Sequence, residues 1–193
     1  MGAHHPVGEN VTWAMDFPFD ASGDGKTLKF LNVIDEYSRE DLANLVDRSI
    51  DAKGVISVLD GIVAEHGIPC YIRMDNGPEF IAHALAAWAK EMGVTLYFVD
   101  PGSPWLNGKC ESFNSLLRDE LLNSELFSSV TEAQFLAERY RENYNANRAH
   151  SSLGYLSPDE FSTLDVKIQR MVLTRSAKSR NFYAEGYLRS AAA

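Results

Sequence analysis

The sequence predicts an α/β domain, a five-stranded mixed sheet with helices on both faces. Three observations lead there. Strand-period segments come three in a row at the start with no helical stripe between them, which calls for antiparallel pairing. Helical stripes then alternate with short apolar strands, which calls for parallel strands joined by crossovers. The chain has 193 residues, 45% of them hydrophobic and 23% charged, enough to bury a core without staples.

The first segment is Val11–Phe17, where Val11, Trp13 and Met15 alternate with Thr12, Ala14 and Asp16, a period of two. Asp20–Lys26 is rich in Gly and Asp and reads as a hairpin turn. Leu28–Ile34 is the second strand and Leu42–Val46 the third. Val55, Val58, Leu59, Ile62 and Val63 then share one helical face, and Gly67 is placed to stop that helix. Cys70–Met74 is a short buried strand. Ile81, Leu85, Trp88 and Met92 form the stripe of a second helix that Gly93 ends, and Val94–Val99 is the fifth strand. After the loop Pro101–Pro104, the residues Leu106, Cys110, Phe113, Leu117 and Leu121 mark a long helix. Ser129 and Glu132 have capping-box spacing and open a last helix with Ala133, Leu136 and Tyr140 on its core face. The predicted division is a tail at 1–10, a core at 11–161 and a basic extension at 162–193 that is expected to be loose.

Charge and cysteine content narrow the function classes. The net charge is −9, which argues against nucleic-acid binding through bulk charge. Residues 167–193 nevertheless carry six basic side chains and one acidic, net +5, which leaves net −14 on residues 1–166. An acidic body of this kind can still meet DNA where cations neutralise its acid cluster. Cys70 and Cys110 make neither a disulfide framework nor a four-ligand zinc site. His4 and His5 read as tail. No apolar run is long enough for a membrane span and no signal peptide is visible, so a cytoplasmic setting with no membrane partner is expected.

Three acidic residues stand where chemistry could be done. Asp16 is on the first strand, Asp75 directly follows the strand Cys70–Met74, and Glu111 is on the helix after Pro104. At about 100° per residue, Asn107, Glu111, Asn114 and Arg118 share a face roughly opposite the apolar stripe. Lys109 points away from Glu111 on the same reckoning. Three carboxylates from separate elements, meeting at the carboxyl end of a sheet, would suit Mg²⁺ or Mn²⁺. Two such ions can serve phosphodiester chemistry without a Cys or His nucleophile. Spacing alone does not separate this reading from ordinary turn-forming and solvated acids.

Longer stretches carry more information. Trp13–Phe17 (WAMDF), Leu31–Arg39 (LNVIDEYSR), Arg73–Phe80 (RMDNGPEF), Pro101–Asn114 (PGSPWLNGKCESFN), Leu117–Leu122 (LRDELL) and Tyr144–Tyr155 (YNANRAHSSLGY) occur in this order, and 35 residues separate Asp75 from Glu111. With these segments the chain resembles the integrase catalytic core, of the Asp-Asp-Glu type and retroviral-integrase-like, of bacterial insertion-sequence transposases. The resemblance covers roughly residues 11–161. It implies a ribonuclease-H-like fold. It also implies a DNA transposase core, a Mg²⁺-dependent polynucleotidyl transferase that cleaves DNA 3′ ends and transfers strands. Asp16, Asp75 and Glu111 match the family's metal-binding catalytic triad, with Mn²⁺ as a substitute ion and two ions expected.

The implied partners are the element's DNA ends, target DNA, and further copies of the chain assembled on that DNA in a bacterial cytoplasm. Asn107, Asn114 and Arg118 are the expected DNA contacts. Asn76, Gly77 and Pro78 are expected to shape the turn that aims Asp75, and Asp35, Ser38 and Arg39 to buttress the second strand. Tyr144, Arg148 and His150 are expected to pack or cap. Transposases of this kind carry a helix-turn-helix region before the core, and nothing ahead of Val11 could supply it, so the chain is expected to be the catalytic segment alone and to bind DNA weakly. Two other readings stay open at this stage: a two-metal nuclease that only hydrolyses, and a non-catalytic remnant.

Overall fold

The computed structural model describes residues 6–78, 80–99, 108–164 and 166–176. The described chain divides into two compact units, residues 1–142 and 143–193.

In the first unit the strands are β1 (Thr12–Asp16), β2 (Phe19–Ala21), β3 (Thr27–Asp35), β4 (Asp41–Asp47), β5 (Tyr71–Met74) and β6 (Thr95–Phe98). The helices are α1 (Ala52–His66), α2 (His83–Met92), α3 (Gly108–Leu117) and α4 (Val130–Asn147), the last running into the second unit. The sheet has six strands in the order β2-β3-β1-β5-β6, with β4 on the other edge of β3. β1 and β2 pair successive stretches of that same β3 edge, at Asn32–Asp35 and at Thr27–Lys29. They are one strand interrupted at Pro18, which has no N–H to give the ladder. The sheet is therefore five strands across, and the extra strand takes Asp20 and Ala21 from the predicted turn. The turn itself is shorter: Ser22 N donates to Lys26 O at 2.9 Å and Gly25 takes φ 78°. β1, β3 and β4 pair antiparallel, whereas β1, β5 and β6 pair parallel, as the order of segments predicts.

The period of two sorts the side chains. Trp13, Met15, Leu31, Val33, Ile72 and Met74 point to one face and form a single buried cluster with Val55, Leu59 and Ile62 of α1 and Leu85 and Trp88 of α2. Ile81 does not join it. It precedes α2 and is 59% exposed, while Phe80 is fully buried in its stead. Ala14, Asp16, Phe30 and Asn32 face the other way, toward α3. There Phe113 and Leu117 are buried, and Phe30 packs on Phe127 with ring centroids 6.1 Å apart. α3 continues through a π-helical segment, Arg118–Leu122, so the predicted stripe runs on to Leu121. Leu106 lies outside the described residues.

Caps follow the predictions with one shift. Asp51 caps α1 by accepting from Gly54 N at 2.9 Å, and Gly67 and Gly93 end α1 and α2 at positive φ. At α4, Ser129 Oγ accepts from Glu132 N at 3.1 Å, but the Glu132 carboxylate returns to Ser128 rather than to Ser129. In the second unit, Ser157 and Glu160 form a complete capping box at α5 (Pro158–Ser162). The Tyr144 ring meets His150 edge-on at 5.2 Å, a packing role. Residues 166–176 are helical, where the fading pattern predicted a loose extension. The buried Gln169 side chain ties this helix to Phe161 O at 3.1 Å, an anchor that apolar periodicity does not register. No described helix is long and apolar enough to cross a membrane.

Candidate active site

The sheet register brings the first two carboxylates together. Ala14 of β1 pairs with Arg73 of the parallel strand β5. Two residues further along each chain stand Asp16 and Asp75. Side chains two apart in a strand share a face, and neighbouring strands lie about 4.8 Å apart. Both acids therefore emerge at the carboxyl end of adjacent strands, on the face that α3 covers.

Asp16 is half-buried and tightly held. Its Oδ1 accepts from Phe17 N at 2.8 Å and its Oδ2 from Asn114 Nδ2 at 2.7 Å. Asn114 Oδ1 accepts in turn from Asn32 Nδ2 at 2.7 Å. Asn32 is the antiparallel register partner of Asp16 and is fully buried. Burial raises the proton affinity of Asp16 above the ordinary carboxylate range. The charges of Asp75 and Glu111 raise it further, against the lowering effect of the Phe17 and Asn114 hydrogen bonds. Asp75 and Glu111 of the predicted triad thus each lie within electrostatic reach of Asp16.

Asp75 and Glu111 are more open. Asp75 is exposed, and its Oδ1 accepts from Gly77 N at 2.9 Å. Asn76 Nδ2 donates to Val99 O at 3.0 Å, which fastens the turn to the end of β6. Gly77 contributes to this turn through its N–H. The Phe17 and Phe80 rings stack at 4.6 Å and join the chain after Asp16 to the chain after Asp75. Glu111 is exposed in the first turn of α3. Among the described residues, no three His, Cys, Asp or Glu side chains are drawn together closely enough to hold a metal ion. The donor set still fits a hard divalent cation: three carboxylates, one of them raised in proton affinity by burial and by the other two, form a site that a positive ion would relieve.

The polar edge of α3 does not face free solvent throughout. Asn114 is half-buried and committed to Asp16 and Asn32, because the sheet beneath that part of the helix is polar. Arg118 is exposed and its Nη2 donates to Phe19 O at 3.1 Å. Asn107 lies outside the described residues. Lys109 turns away from Glu111 as predicted. Its Nζ reaches Glu36 O at 3.0 Å and Glu36 Oε2 at 3.3 Å. Burial and then the Arg39 charge lower the Lys109 pKa to about 8, although Glu36 favours the charged form. Cys110 is fully buried and its thiol is pushed well up by burial, so it supplies no nucleophile.

Asn32 and Glu36 escaped the sequence reading. A lone Asn inside the apolar run LKFLNVID was the available signal, since a buried amide must find partners. Asp35, by contrast, does what was expected of it. Its Oδ1 accepts from Tyr37 N and Ser38 N at 2.8 Å each, and its Oδ2 from Asn10 N at 2.8 Å, which closes the turn out of β3.

Two profiles of the integrase core domain match the chain, one over residues 6–104 and the other over 92–158. An uncharacterised 39.2 kDa protein of insertion element IS476 from Xanthomonas euvesicatoria is 38% identical over 83% of this chain and 49% of its own length. A 31.7 kDa protein of IS407 from Burkholderia multivorans is 39% identical over 81% of this chain and 57% of its own. The chain spans about half the length of these relatives. Among solved structures, the catalytic core of HTLV-2 integrase in complex with magnesium matches with a TM-score of 0.60 at 15% identity, over 74% of this chain and 91% of that one. A chain of the simian T-cell lymphotropic virus intasome matches with a TM-score of 0.71 at 15% identity, over 85% and 58%. The fold is that of retroviral integrase catalytic cores, ribonuclease-H-like, as the sequence predicts.

Proposed function

Because the chain belongs to the integrase core domain family, we propose that it is the catalytic core of an insertion-element DNA transposase whose three carboxylates, Asp16, Asp75 and Glu111, hold divalent cations for phosphoryl transfer. Mg²⁺ is the natural ion in this reading, Mn²⁺ its substitute, and two ions the full complement. The observation that carries the proposal is the convergence of the triad on Asp16. Asp16 on β1, Asp75 after β5 and Glu111 on α3 come from three elements far apart in sequence, yet Asp16 responds to both of the others.

Bound ions would supply charge stabilisation to the attacking and leaving oxygens at phosphorus. The residues of the chain do the positioning. Phe17 N–H and Asn114 fix both oxygens of Asp16, and Gly77 N–H fixes one oxygen of Asp75. Water attacks the phosphodiester at an element end, a new P–O bond forms as the bond to the 3′-oxygen breaks, and a 3′-hydroxyl is freed. Attack of that hydroxyl on a phosphodiester of target DNA joins the two and releases the target's own 3′-oxygen. The substrates in this reading are element ends and target DNA, met in a bacterial cytoplasm by several copies of the chain acting together. Residues 11–161 are the working core, 1–10 a tail and 162–193 a basic extension. Arg118, Asn107 and Asn114 remain the DNA contacts to test.

The test is Mn²⁺-dependent nicking and joining of labelled duplex DNA by this chain fused behind an end-binding helix-turn-helix region, with Glu111→Gln beside it. Loss of both activities in the variant is the expected result. Activity that survives the substitution removes the mechanism. Cutting without joining by the parent protein would make the chain a hydrolytic nuclease, and neither activity would make it a remnant.

A further inference from the structure

A deeply buried carboxylate beside the site is not one of the triad. Glu36 is the first residue beyond β3, and its side chain is 1% exposed. Arg73 Nη1 donates to its Oε1, and Lys109 Nζ lies 3.3 Å from its Oε2. Arg73 stands two residues before Asp75, and Lys109 two residues before Glu111. A single buried carboxylate therefore holds both the strand that presents one triad acid and the helix that presents another. We propose that Glu36 is a positioning residue of the active site, which sets Asp75 through Arg73 and Glu111 through Lys109. The proposal rests on the reading of Asp75 and Glu111 as metal ligands.

The geometry at each arm is specific. Arg73 and Asp75 share a face of β5 and its extension, so anchoring the Arg73 side chain fixes the face from which Asp75 leaves. Lys109 and Glu111 lie about 160° apart around α3. Holding Lys109 against the sheet turns Glu111 outward, and the anchor falls in the same helical turn as Glu111. Glu36 is itself held in place. Its N–H donates to Thr12 O at 3.0 Å, and the preceding residue, Asp35, organises the turn that follows.

Glu36 is the carboxylate between the Arg73 and Lys109 cations. Neutralising Glu36 would leave cations facing one another with little water around them, and Lys109, the more exposed partner at 25% against 12% for Arg73, would move out first. The start of α3 would move with it. A structural ion pair far from the chemistry would have no reason to join the two residues that each precede a triad member by two positions.

The experiment is a Mn²⁺ titration of the full chain followed by electron paramagnetic resonance, with a short DNA duplex present and folding checked by circular dichroism. Glu36→Gln and Lys109→Met are expected to weaken Mn²⁺ binding about tenfold, the lower end of the effect of outer-shell partners on metal affinity. Lys109→Arg, which keeps the cation, is expected to restore it to within about twofold. Lys109→Met removes a partly exposed side chain and keeps the test available if Glu36→Gln fails to fold. Wild-type affinity in a folded Lys109→Met variant, with Glu111→Gln unable to bind, overturns the positioning role alone. Equal binding by wild type and Glu111→Gln, or no saturable binding by either, overturns the triad reading and the positioning role with it.

Discussion

Asn114→Ala is the sharpest probe of how Asp16 is held. The substitution deletes two hydrogen bonds at once, the donor to Asp16 Oδ2 at 2.7 Å and the acceptor for Asn32 Nδ2 at 2.7 Å. A hydrogen bond to an ionised acceptor contributes about 1.5–3 kcal/mol, and a stranded buried donor costs about 1–3 kcal/mol. Asn32 is fully buried in mid-sheet, so its amide has nowhere else to turn. Asn114 is half-buried, so water can enter the space it leaves and recover part of the loss on the Asp16 side. The net cost at neutral pH is about 2–4 kcal/mol. The pH dependence has a definite sign. The Asn114 bond favours ionised Asp16, so its loss raises the folded-state pKa of Asp16 further. A raised folded pKa gives stability that is full below the unfolded value and lost as pH rises. The variant should therefore lose more at pH 7 than at about pH 4. Urea unfolding of both proteins at the two pH values, without divalent ions, measures this. A loss under about 1 kcal/mol that is the same at both pH values would show that Asn114 does not support an ionised Asp16.

Other perturbations test separate parts of the fold. Asp41 is fully buried, accepts from Asn44 Nδ2 at 2.7 Å, and has its pKa pushed up by burial to about 8. Its contribution to stability is full below about pH 4 and drains away as pH rises to about 8, by at most about 6 kcal/mol. Asp41→Asn should flatten that slope in urea unfolding at pH 5, 7 and 9, and parallel curves for the two proteins would refute the assignment. Without metal, Glu111→Gln should raise the melting temperature slightly by relieving Asp16. It should also abolish the stabilisation that millimolar Mn²⁺ gives the wild type, as thermal melts with and without the ion would reveal. In the second unit Gly154 has φ 71°, and a Cβ there would stand 2.9 Å from Val172 Cγ1. Gly154→Ala should destabilise this unit by about 1–2 kcal/mol, visible as faster amide exchange at Phe161 and Gln169.

The parts of this fold that were legible in the sequence are those written in apolar periodicity. Trp13 and Met15 alternate on β1, and Val55, Leu59 and Ile62 recur on α1, because each side of the sheet has to bury a face. The failures arise where local composition or spacing points one way and the pairing and packing of the fold decide another. Asp20 and Ala21 read as turn because their neighbours are Gly and Asp, yet β3 is long enough to pair them beyond Pro18. Ile81 fits a helical stripe by spacing but sits outside α2, and Phe80 stacks on Phe17 in its stead. Of the site, the three acids were visible as motif members. Their supports were not: Asn32 and Glu36 become meaningful only when the β1–β3 register puts one opposite Asp16 and α3 lays Lys109 over the other.

Taken along its length, α3 is fastened to the sheet by polar contacts at three points. Lys109 holds Glu36 just past β3, Asn114 holds Asp16 at the end of β1 and Asn32 on β3, and Arg118 holds Phe19 O on β2. The separations of five and four residues correspond to about 7.5 and 6 Å of helix. Glu111 falls between the first two. Apolar contacts of Cys110, Phe113 and Leu117 alone would leave the helix free to slide or roll by small amounts, since hydrophobic burial is not directional. Directional bonds on both sides of Glu111 remove that freedom. Among the described residues no hydrogen bond holds the Glu111 carboxylate in the way those of Asp16 and Asp75 are held, so Glu111 is placed by its helix, and the two flanking contacts should act on it together. Lys109→Met and Asn114→Ala combined should therefore weaken Mn²⁺ binding by more than the product of their separate effects. A strictly multiplicative result would mean that each contact acts only on its own carboxylate.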